Sequence, residues 1–95
     1  MVKKIEETSE ELKLIKTKVQ DGNAIIGQER VLKELKAKKL TKIFLAKNCP
    51  QKLKEDIIYY AKLADIPYQE LEQTNEDLGI LCKKNFYISV VGIQE

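Results

Sequence analysis

At 95 residues, 43% hydrophobic and 34% charged, the chain has the size and composition of one folded domain with a single core, not of a disordered tail. No window reaches the roughly 18 apolar residues of a membrane span. Met1-Val2-Lys3-Lys4-Ile5-Glu6-Glu7 lacks the apolar stretch of a secretory leader, so no membrane partner is expected.

The net charge of +2 conceals a segregation. Arg30–Lys54 carries nine basic residues against Glu34 alone, whereas Glu55–Cys82 carries Lys62 against seven acids. Such a basic block marks either a polyanion surface or a solvated face. The absence of histidine removes the commonest metal ligand and the commonest general base. Cys49 and Cys82 form no CxxC pair and are expected as reduced thiols in a cytosol.

In chain order, Thr8-Ser9-Glu10-Glu11 offers a capping box, with Thr8 as N-cap, and Leu12, Ile15 and Val19 follow on one helical face. Asp21-Gly22-Asn23 stops that helix. Ala24-Ile25-Ile26 is a short apolar strand ending at Gly27. Gln28 to Lys38 is a second helix with Val31, Leu32 and Leu35 inward, and its terminal lysines complement the helix dipole.

Ile43-Phe44-Leu45-Ala46 is a continuous apolar run of the kind a strand buried on both faces shows. Lys47-Asn48-Cys49-Pro50 follows, and Pro50 suits the start of a helix. Leu53, Ile57, Ala61 and Ala64 keep helical spacing through Ala64, and Ile66-Pro67 ends the element. Tyr59 and Tyr60 are expected to pack on that helix. Tyr68-Gln69-Glu70-Leu71 is a strand near a sheet edge.

Thr74-Asn75-Glu76-Asp77 opens a short helix through Leu78 and Leu81. Cys82-Lys83-Lys84-Asn85 reads as a polar loop, and Phe86 to Val91 as the last strand. This alternation predicts an α/β class: a three-layer α/β/α sandwich around a small four-stranded mixed sheet, one domain over residues 1–95.

Sites in such folds gather beyond the carboxyl ends of strands. Those positions are Gly27-Gln28-Glu29-Arg30 with Lys33 one turn on, and Lys47-Asn48-Cys49-Pro50. The loop holding Lys84 and Phe86 joins them if the last strand runs antiparallel. Cations, an amide and an aromatic ring together suit RNA: phosphates on Arg30, Lys33, Lys47 and Lys84, a base edge on Asn48, and apolar contact from Phe86. Each key residue also has a plainer reading: Gly27 as a turn residue, Asn48 as a helix cap, Phe86 as core.

Enzyme readings fare worse. Gly27 belongs to neither GxGxxG nor a P-loop. Glu55, Asp56, Glu70 and Glu72 fall on solvent faces. A helix N-terminus would lower the pKa of Cys49, but no histidine is present to serve it as a base. The chain reads as a non-enzyme with no metal, no cofactor and no small-molecule substrate.

The segments Ile26-Gly27, Ile43 through Pro50, Lys54 through Ala61, Ile66-Pro67-Tyr68, Asp77-Leu78-Gly79 and Phe86 through Val91 resemble a known family. It is the archaeal and eukaryotic large-subunit ribosomal protein "L thirty" family (the e-type), within the kink-turn-binding superfamily. The resemblance covers nearly the whole chain in order. It implies a domain set against a kinked internal loop of ribosomal RNA in the cytoplasmic ribosome, with neighbouring ribosomal proteins as further partners.

Carried over by residue, the contacting loops fall on Gly27 to Arg30, on Lys47 and Asn48, and on the turn reaching Phe86. Asn48 matches the base-contacting asparagine and Phe86 the apolar RNA-facing residue. Glu29 departs from the pattern, which places a basic or amide residue there; either Arg30 takes over or Glu29 orients Arg30 and Lys33. Asp77 replaces the commoner glutamate. Two rivals remain: a small-ribonucleoprotein kink-turn protein, disfavoured by Glu29-Arg30 where that type carries Asn-Glu, and a protein-interaction domain on the same fold.

Overall fold

The computed structural model describes residues 10–94, so the Thr8 cap lies outside the described residues. Four helices and four strands alternate: α1 (Glu10–Asp21), β1 (Ala24–Ile26), α2 (Gln28–Lys36), β2 (Lys42–Leu45), α3 (Gln51–Ala64), β3 (Tyr68–Glu70), α4 (Asn75–Leu81) and β4 (Val90–Ile93). The sheet order is β1-β4-β2-β3. β4 runs antiparallel to both β1 and β2, and β3 pairs parallel to β2 at the edge.

The apolar run of β2 is explained by its two faces. Successive strand residues point to opposite sides. Phe44 and Ala46 join Leu12 and Ile15 of α1, Leu78 and Leu81 of α4, and Val91 and Ile93 of β4. Ile43 and Leu45 join Val31 and Leu35 of α2, Leu53, Ile57 and Ala61 of α3, and Val90. The sheet is therefore sandwiched between an α1/α4 layer and an α2/α3 layer.

All four helices end alike, with a residue in the left-handed region whose successor bonds back five residues. Those residues are Gly22, Lys38, Asp65 and Lys83. The returning bonds run from Asn23 N–H to Lys18 C=O (2.8 Å), Lys39 to Glu34 (3.0 Å), Ile66 to Ala61 (2.9 Å) and Lys84 to Gly79 (2.9 Å). Left-handed backbone at Lys38 is why α2 stops at Lys36, short of the expected Lys38.

Two expectations from the sequence are corrected in the α4 layer. The last strand begins at Val90, not Phe86, and reaches Ile93. Residues 86–88 instead lie across α4: the Ile88 N–H donates to the Asn75 carbonyl at 3.0 Å, and a Cβ on Gly79 would collide with the Phe86 carbonyl oxygen. Backbone groups satisfied by a helix are not available to a ladder. Cys82 is not part of a polar loop; it is 3% exposed and belongs to the core. A smaller difference concerns the tyrosines. Tyr60 packs against the α2/α3 core beneath Lys36, whereas Tyr59 is 59% exposed and stands edge-to-face with the Tyr60 ring.

Candidate nucleic-acid interface

Because β1 and β2 both oppose β4, their carboxyl ends and the start of β4 lie at one end of the sheet. Three loops meet there. Gly27 caps α2 with φ +104, a conformation that side chains other than glycine resist, and its carbonyl accepts the Val31 N–H at 2.9 Å. Gln28, Glu29 and Arg30 follow, all exposed, with Lys33 exposed one turn further along. Glu29 makes no ion pair with Arg30 or Lys33 among the described residues.

The second loop is fastened from both sides. The Ala46 N–H donates to the Ser89 carbonyl at 2.9 Å, and the Lys47 N–H to the Gln73 carbonyl at 2.8 Å. Lys47 itself is exposed. Asn48 does not cap the following helix: the N-cap of α3 is Pro50, with no side-chain cap bond. Its amide reaches the first residue of α4 instead. Oδ1 accepts the Asn75 N–H at 2.8 Å, and Nδ2 donates to Asn75 Oδ1 at 3.1 Å.

The third loop leaves α4 at Lys83 and carries Lys84, Asn85, Phe86 and Tyr87 outward. Phe86 is 51% exposed, which removes the core reading. A groove of about 280 Å³ brings Ile26 and Arg30 of the first loop region to Lys84 and Phe86 of the third. A smaller one of about 110 Å³ lies between α4 and the third loop, with Ile80 and Tyr87 beside Phe86. Gln28 and Glu29 line a separate groove with Leu32, Pro50 and Leu53 between α2 and α3. Lys33 lines none of these three.

The basic block of the sequence divides in space. Lys54 is bound to Glu70 at 2.8 Å and Lys52 to Asp56 at 3.6 Å. Lys36 covers the Tyr60 ring and Lys42 the Phe44 ring. Arg30, Lys33, Lys47 and Lys84 make no ion pair among the described residues, and Arg30 and Lys84 line the groove that holds Phe86.

Neither thiol is set up as a nucleophile. Burial pushes Cys49 upward, the reverse of the effect expected from a helix N-terminus, and pushes Cys82 up to about 11. No group of three or more potential metal-ligating side chains occurs among the described residues.

Sequence reasoning missed Asn75, Gly79, Ile80 and Tyr87. The Thr74–Asp77 capping box was visible and marks where α4 starts, but nothing local says that Asn48 faces that start across 27 positions.

The pattern of the "Ribosomal protein L7Ae/L30e/S12e/Gadd45 family" matches residues 9–95. A large ribosomal subunit protein eL30 of Methanothermobacter thermautotrophicus is 42% identical over 81 residues, covering 85% of this chain and 83% of that one. The eL30 of Saccharolobus solfataricus is 38% identical over 79 residues, covering 83% and 73%. Among solved structures, a protein of unknown function from Bacillus halodurans C aligns with TM-score 0.82 at 19% identity, covering 90% of this chain and 85% of its own. The Giardia lamblia 15.5kD RNA binding protein aligns with TM-score 0.74 at 19% identity, covering 93% and 78%. At that identity the two structures establish the fold.

Proposed function

The chain belongs to the ribosomal protein L7Ae/L30e/S12e/Gadd45 family, and from that membership we propose that it is a structural, non-enzymatic constituent of the large ribosomal subunit in the cytoplasm, holding a kink-turn-like internal loop of ribosomal RNA. The observation that carries this reading is the groove that brings Arg30 of the first loop to Lys84 and the half-exposed Phe86 of the third, with Arg30, Lys33, Lys47 and Lys84 making no ion pair among the described residues.

Each part has a task that irregular RNA supplies. Arg30, Lys47 and Lys84 take phosphates, with Lys33 extending the field along α2. Gly27, with no Cβ and open space around it, lets the backbone of Gln28 come close to the RNA chain. Asn48 offers an amide to a base edge, and Phe86 an apolar face to a splayed base. Glu29 would repel a phosphate, so Arg30 takes the contact that the family pattern gives to position 29. A regular A-form duplex presents a deep, narrow major groove that such loops cannot enter, whereas an internal loop opens it. Neighbouring ribosomal proteins complete the surroundings.

Two measurements test the reading. The protein should bind a kink-turn RNA more tightly than a straight duplex of the same composition at physiological salt, with affinity falling steeply as salt rises. It should also co-sediment with large ribosomal subunits. Equal affinity for the two RNAs overturns the kink-turn assignment, and absence from the subunit overturns the ribosomal one.

A further inference from the structure

We infer that Asn75 is a positioning residue for RNA recognition, fixing the sense and orientation of the Asn48 amide; this rests on the reading of Asn48 as the base-contacting residue.

The geometry leaves one arrangement. A backbone N–H can only donate, so the Asn48 atom 2.8 Å from the Asn75 nitrogen is the oxygen. Nδ2 of Asn48 must then face Oδ1 of Asn75, as it does at 3.1 Å. These two bonds use one proton of Nδ2 and one lone pair of Oδ1. One proton and one lone pair remain on Asn48, and together they form a donor–acceptor pair of fixed sense for a base edge.

Asn48 is an exposed turn residue, and the terminal torsion of a free asparagine is soft. Held at both atoms, its amide is ordered before RNA arrives, so that ordering is not charged against binding. The Asn75 backbone is itself held. The Thr74–Asp77 capping box fixes the start of α4, and the Asn75 carbonyl accepts the Ile88 N–H at 3.0 Å on the path from the third loop to β4. One residue therefore sets the second loop against the third.

Asn75 occupies the first position of α4, the one place in a helix where proline is favoured, and Thr74 before it is already extended (φ −82, ψ 172). Asn75→Ala removes one anchor of Asn48. Asn75→Pro removes both and remains compatible with the helix. Binding of a kink-turn RNA should weaken about 3-fold for alanine and about 10-fold for proline, the range for re-ordering one side chain. In an Asn48→Ala background both losses should disappear.

Without RNA, the Nδ2 protons of Asn48 should resonate away from free-amide positions and exchange slowly with water in NMR spectra. They should move to free-amide positions in Asn75→Pro. If the amide is freed and RNA affinity holds, positioning is refuted while the RNA-binding reading stands. Losses that persist beside Asn48→Ala would mean that Asn75 acts on its own, which also refutes it. If Asn48→Ala alone leaves affinity unchanged, the base-contact reading falls and takes this inference with it.

Discussion

The two helical layers that cover the sheet are held by different means. The α2/α3 layer is a packing of side chains: Val31, Leu35, Leu53, Ile57 and Ala61 interlock over Ile43 and Leu45. The α4 side of the other layer is held by backbone and polar contacts as much as by apolar ones. Thr74 and Asp77 bond reciprocally, Asn75 ties two loops, and Gly79 lets the Phe86 backbone lie directly on the helix. The first arrangement carries Gln28 to Lys33 on α2 but makes none of the polar ties that hold the second and third loops. The second shapes two of the three loops directly. Stability and function should therefore separate between the layers.

The largest effects test that separation. Ile57→Ala empties a fully buried site and should lower stability by about 2–5 kcal/mol in denaturant unfolding. The folded fraction should bind kink-turn RNA as the parent does; a change of affinity in folded protein would show that α3 packing also sets the lip. Gly79→Ala is the counterpart. The added methyl cannot coexist with the Phe86 carbonyl, and what must yield is backbone, not a flexible side-chain end. Stability should fall by about 1–3 kcal/mol, the usual cost of overpacking. RNA affinity should fall as well, because Phe86 and Lys84 move with their backbone. Stability loss with unchanged affinity would break the comparison.

The same division decides what the sequence could tell. Helix α3 was read to its observed ends because Leu53, Ile57 and Ala61 repeat at helical spacing between Pro50 and Ile66-Pro67, which are local signals. The double burial of β2 was legible from its unbroken apolar run, and the edge position of β3 from its mixed composition. Of the candidate site, strand-end logic points to Gly27, Arg30, Lys47, Lys84 and Phe86, and one groove holds Arg30, Lys84 and Phe86. What was not legible arises between distant segments. Phe86 to Ser89 has strand-like composition, yet α4 claims the backbone of Phe86 and Ile88 through Gly79 and Asn75. Cys82 follows α4 at the head of a polar run, so only packing against the sheet reveals that it is core. The partner of Asn48 is 27 residues away and carries no periodicity.

A smaller effect sharpens the polar half of the comparison. Thr74→Ala removes the hydroxyl that accepts the Asp77 N–H at 3.3 Å, while Asp77 Oδ2 keeps the Thr74 N–H at 3.0 Å. Half of the capping box survives, so the loss should be about 1 kcal/mol by thermal unfolding. Affinity for RNA should fall less than in Gly79→Ala, because Asn75 keeps its backbone bond to Ile88. A larger loss of affinity than in Gly79→Ala would place control of the lip in the cap instead of the glycine contact.

The last effect is silent at neutral pH and uses the two thiols, one beside each layer. Cys82, within the α4 core, has its pKa pushed up to about 11 by burial, and Cys49, half-buried against the α2/α3 core, is raised by burial in the presence of Lys54. In the unfolded chain a thiol titrates near 8.5. The folded state thus holds the Cys82 proton where the unfolded state releases it. The contribution is fully present below about pH 8.5 and is lost as pH rises through about 11, so stability should decline over that window. Lysines and tyrosines titrate there too, so the measure is the difference from Cys82→Ala, whose decline should be shallower. Equal slopes would show that Cys82 ionises as freely in the folded state as in the unfolded one. Alkylation at pH 8 gives the companion reading: Cys49 should be modified first, and Cys82 only as fast as the α4 layer opens. If Cys82 reacts as fast as Cys49, the layer that shapes the second and third loops opens far more readily than its buried contacts imply.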